Sequence, residues 1–95
     1  MAIGDVRAGM LSVLVNEYVD IRPPEGEEWV IHNIYYSGSV KLYFTDGTNH
    51  IMFDTAPGPG GHLNFNFHVT YNYWIRVMNA SMETILVGYD GVRTK

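Results

Sequence analysis

At 95 residues, 46% of them hydrophobic and 14% aromatic, the chain has the size of one small domain, expected to run over 1–95 with fraying at 1–5 and 94–95. It has no cysteine, which excludes a disulfide framework and a thiolate metal cluster. The net charge is −4 and the six basic residues (Arg7, Arg22, Lys41, Arg76, Arg93 and Lys95) are scattered, so no cationic surface for direct nucleic-acid binding is expected.

Met10 to Val15 and Tyr18 to Ile21 read as strand pieces joined at Asn16-Glu17. A helix over 8–15, capped by Asp5, is the alternative, but Gly9, Val13 and Val15 weaken it. The apolar run here is too short to span a bilayer. It also lacks a signal peptide's basic flank and cleavage site, so a product made in the cytoplasm with no membrane partner is expected. Pro23-Pro24-Glu25-Gly26 breaks the chain, and Glu28 to Tyr36 forms the next strand, up to Ser37-Gly38. Val40, Leu42 and Phe44 then alternate with polar neighbours, Asp46-Gly47-Thr48-Asn49 supplies a turn, and Ile51 and Phe53 resume the alternation as a β-hairpin.

Residues 56–61, Ala-Pro-Gly-Pro-Gly-Gly, read as a loop, because proline removes backbone donors and glycine removes restraint. Beyond it Leu63, Phe65 and Phe67 alternate with His62, Asn64, Asn66 and His68 as a half-buried strand. Tyr73 to Met78 and Thr84 to Tyr89 follow, joined by a turn at Asn79–Met82, with Gly88 marking a bulge or a close backbone approach. Seven to eight short strands between turns predict an all-β, single-domain antiparallel β-sandwich, jelly-roll-like or immunoglobulin-like in topology.

No catalytic motif emerges. His62 and His68 lie roughly 20 Å apart if they share one strand, too far for a single ion, so neither a metal site nor a cofactor is expected. The carboxylates Glu25, Glu27 and Glu28 flank a turn, where solvation leaves nothing to separate their pKa values for acid–base work. The row His62, Asn64, Asn66 and His68 reads either as an ordinary exposed sheet face or as a polar binding face for a host glycan or a subunit. The aromatics are too many for one side of the strands, so some must reach the surface as contacts. Tyr35, Tyr36 and Tyr73 are the candidates, Tyr35 and Tyr36 facing opposite ways if both lie in a strand.

The stretch Ile21-Arg22-Pro23-Pro24-Glu25-Gly26-Glu27-Glu28-Trp29-Val30-Ile31-His32-Asn33-Ile34 resembles small β-sandwich structural proteins of tailed bacteriophages. So do Tyr73-Trp74-Ile75-Arg76-Val77-Met78-Asn79-Ala80-Ser81 and Gly88-Tyr89-Asp90-Gly91-Val92. The resemblance implies a non-enzymatic virion component. This would be a capsid decoration (cement) protein acting as a homotrimer on the major capsid protein or another virion protein, or a carbohydrate- or receptor-binding module of the tail or fibre. No catalytic residue belongs to that pattern. The remaining alternative is a small cupin-like protein holding a metal through its histidines.

Overall fold

The structure, a computed structural model, describes residues 4–63 and 66–95. Its strands are β1 (Val6–Val13), β2 (Tyr18–Ile21), β3 (Glu28–Tyr36), β4 (Val40–Thr45), β5 (His50–Ala56), β6 (Gly60–His62), β7 (Phe67–Thr70), β8 (Trp74–Asn79) and β9 (Ile85–Arg93). One antiparallel sheet has the order β1-β9-β3-β6, with β7 also on β3, and the other has the order β2-β8-β4-β5. β6 lies along Ile34–Tyr36 and β7 along Glu28–Ile31, so the two share one position in the sheet. With that position counted once, the order is that of an eight-stranded jelly roll, two sheets in which nearly every connection crosses from one to the other. The expected β-sandwich is present, and the immunoglobulin-like order is not.

Alternation drives each strand. In β4, Val40 and Leu42 are buried while Lys41 is exposed, and in β8 Ile75 and Val77 point inward on either side of Arg76. Ile21, Ile31, Ile34, Leu42 and Val69 complete the centre of the core, all at 0% exposure. At about 1.5–3 kcal/mol for each such side chain, this layer between the sheets is the main stabilising term. At one end of it Glu27 accepts hydrogen bonds from Trp29 Nε1 at 3.1 Å and Arg7 at 3.3 Å, with Arg93 at 3.6 Å. The Trp29 bond, with help from both arginines, holds the Glu27 carboxyl below its ordinary range. Glu27 is therefore a structural acceptor, which the reading of a solvated acidic turn did not anticipate.

Several boundaries differ from expectation. Residues 56–61 are not all loop, since β5 runs to Ala56 and Gly60 and Gly61 open β6. These glycines suit the site because the Tyr36 ring packs 3.6 Å from where a Gly60 Cβ would stand, and the Ile34 carbonyl 3.0 Å from one on Gly61. The single strand expected over 62–68 is instead β6 and β7, with Leu63 exposed; Asn64 and Phe65 lie outside the described residues. Residues 8–15 form strand and turn, not helix. The C-terminus is tied down, because both Thr94 N and Lys95 N donate to Glu28 O, and at the other end of the chain Gly4 N donates to Arg93 O at 2.6 Å.

The strand directions gather the loops at two ends. Residues 14–17, 37–39, 57–59 and 80–84 lie at one end, and 22–27, 46–49 and 71–73 lie with both chain ends at the other.

Candidate assembly surface

Of the three aromatic candidates, Tyr35 and Tyr73 are exposed, at 43% and 53%, whereas Tyr36 is buried at 8%. Tyr36 follows Tyr35 on β3, so alternation sends one outward and the other inward. Its hydroxyl lies 3.2 Å from His62 Nδ1, and burial pushes its pKa up. Tyr36 is therefore a core residue and not a contact. Tyr35 stands on the outward face of the first sheet and donates to Asp90 Oδ2 at 2.8 Å, while Asn33 Nδ2 donates to Asp90 Oδ1 at 2.7 Å. The Asp90 bond favours the protonated phenol and raises the Tyr35 pKa. Tyr73 precedes β8 at the opposite end of the sandwich and stacks on Phe44 with ring centres 6.0 Å apart. The structure does not bring these tyrosines together.

The polar row is also divided. His62 pairs with Ile34 and turns inward, where it bonds the Asp54 carboxylate and meets the Tyr36 hydroxyl. His68 pairs with Val30 and turns outward, with Glu28 Oε1 3.1 Å away. Asn66 is exposed, and Asn64 lies outside the described residues. The cause is a register shift in β3. Ile31 pairs with Gly91 but Asn33 with Asp90, so His32 is an extra residue that reverses the inward–outward alternation. Among the described residues, no three His, Asp or Glu side chains are grouped as a metal would need.

The feature that sequence reasoning missed is the open edge of the first sheet. Among the described residues β1 pairs only with β9, so its other side is an open sheet edge. Along β1 and its following turn stand Val6 at 72%, Met10 at 72%, Leu11 at 42% and Leu14 at 63% exposure. Arg7, the one charged residue on β1, folds back onto Glu27 and donates to Val6 O at 3.2 Å, so it covers only the start of the edge. A shallow hollow of about 370 Å³, bounded by Ala8, Met10, Tyr35, Gly88 and Asp90, continues the surface onto the outward face. The other flank of the sandwich repeats the pattern on β5, an edge strand with Ile51 at 65% and Met52 at 52% exposure. The apolar run Met10 to Val15 was visible in the sequence, but its edge position depends on topology.

A jelly-roll sandwich with two apolar open edges is thus the class that fold and surface define. No protein-family model matches the chain, and no curated protein matches it.

Proposed function

We propose that the chain is a non-enzymatic structural protein of a tailed-phage virion, a capsid decoration protein that works as a homotrimer on the particle surface. The observation that carries the assembly part is the open β1 edge with Val6, Met10, Leu11 and Leu14 exposed. A long, largely apolar edge without proline, whose single charge stands near its start, is a template for another chain. The partner edge on β5 differs from it in sequence and lies on the opposite flank. Two different complementary patches make a head-to-tail contact, which closes into a ring when the rotation allows. The virion setting rests on the sequence resemblance of residues 21–34, 73–81 and 88–92 alone. Many copies on a symmetric particle would make weak individual contacts effective through high local concentration.

The test is solution mass by light scattering over a concentration series. The expected value is three times 10.8 kDa. Met10→Glu and Ile51→Glu should each reduce it to the monomer, because each buries a charge in one side of the contact. An equimolar mixture of the two variants retains one intact interface, so it should yield a heterodimer. A parent protein that stays monomeric at high concentration would overturn the assembly reading.

A further inference from the structure

We propose that the outward face of the second sheet carries a binding groove for an uncharged saccharide ring, a site that reaches the β5 edge at His50 but whose chemistry does not rest on the assembly reading. The groove has a volume of about 230 Å³ and is lined by Tyr18, Tyr43, His50, Arg76 and Met78. Pairing of Tyr18 with Met78, of Asp20 and Tyr43 with Arg76, and of His50 with Thr45 puts these side chains on one face of four adjacent strands. A space just under the roughly 300 Å³ of the smallest drug-sized pockets admits one sugar ring and not a long chain.

The chemistry of the lining selects the ligand. Two tyrosine rings and the Met78 thioether offer apolar surface for the C–H face of a pyranose. The Arg76 guanidinium sits 3.8 Å over the Tyr18 ring and is clamped by Asp20, with Nε donating at 2.7 Å and NH2 at 3.2 Å. That clamp leaves Nη1 without a hydrogen-bond partner among the described residues, and a fork already held loses less entropy on making a further bond. It also cancels the positive charge, so the groove favours neutral hydroxyls over phosphate or carboxylate. Lys41 stands beside Met78 on the same face but outside the lining.

His50 supplies an acceptor. Thr45 Oγ1 lies 2.6 Å from His50 Nδ1 and donates its own proton to Asn49 O at 3.0 Å. The imidazole Nδ1 therefore carries the hydrogen of that contact, and in the neutral ring Nε2 is left as an acceptor. Saccharide hydroxyls both donate and accept, so those of one ring can serve Nε2 as donor and Arg76 Nη1 as acceptor, whereas a purely apolar ligand can use neither.

Saturation-transfer NMR tests this with methyl glucopyranoside, methyl galactopyranoside and N-acetylglucosamine, and with N-acetylneuraminic acid and inorganic phosphate as charged comparators. At least one neutral sugar should receive transfer and shift the backbone amides of Tyr18, Tyr43, Arg76 and Met78. Tyr18→Ala, at a half-exposed position, should weaken binding by about tenfold, while Tyr73→Ala at the far end leaves it unchanged. No transfer to any neutral sugar, stronger binding of the charged probes, or amide shifts confined to another face would each overturn the assignment.

Discussion

At the scale of single residues, Asn79 shows how much a buried polar group can hold. It is 0% exposed at the end of β8, and its side-chain amide donates to Val13 O at 2.9 Å and Glu83 O at 2.7 Å. Its carbonyl accepts from Ser81 N at 2.8 Å and Ser81 Oγ at 2.7 Å. One side chain thus ties the end of β1 to the turn that starts β9. Asn79→Ala leaves the buried Val13 carbonyl without its donor, whereas the exposed Glu83 carbonyl keeps Ser81 Oγ at 2.8 Å. The expected cost is about 1–3 kcal/mol, that of one stranded buried group. Urea unfolding measures it, and a loss below about 0.5 kcal/mol would show that water replaces the amide. The sequence placed Asn79 in a turn, whereas it ends β8 and its side chain holds the turn that follows. Its bond to Val13 was hidden, because 66 positions separate the two and no local rule connects them. Tyr36 teaches the same lesson: alternation fixed that Tyr35 and Tyr36 diverge, but only the position of the opposite sheet determines which is inside.

At the scale of elements, legibility follows the regularity of the strand. Glu28 to Tyr36 and the β4–β5 hairpin were readable because β-branched and aromatic residues run between clear turn signals, and Asp46 Oδ1 accepts from Thr48 N and Asn49 N as such a turn requires. The 62–68 segment was misread because alternation assumes an unbroken partner, and β3 carries an extra residue at His32. The irregularity closes on Gly91, where a Cβ would collide with the Val30 carbonyl oxygen and stand 2.8 Å from Ile31 Cα. Both obstacles are backbone and cannot swing away. Gly91→Ala must therefore part β3 from β9 in the middle of the sheet, with an expected loss of at least about 3 kcal/mol. Gly58 is the matched control, since a Cβ there meets nothing within 4 Å. Gly58→Ala should be neutral or stabilise by up to about 1 kcal/mol through the unfolded chain. Thermal unfolding of the two variants side by side decides it, and equal melting temperatures would mean that the bulge is not a fixed part of the sheet.

At the scale of the whole molecule, the strand order makes the two halves of the chain depend on each other. β1 to β5 precede the 57–59 loop and β6 to β9 follow it. β9 pairs with β1 and β3, β8 with β2 and β4, and β6 and β7 with β3. Among the described residues the second half thus contains no strand pair of its own, and the first half contains only the β4–β5 hairpin. A lone hairpin is marginal in water, and unpaired strands do not fold. Fragments 1–57 and 58–95 should therefore each be unfolded alone, with collapsed amide dispersion in NMR. Mixed at equal concentration they should recover the native spectrum, because the cut falls in an exposed turn and every lost connection is replaced by paired strands. Association should be slow and concentration-dependent, as expected when all pairings are non-local. A dispersed spectrum from the second fragment by itself would contradict the interleaved order, since nothing within that fragment could produce it.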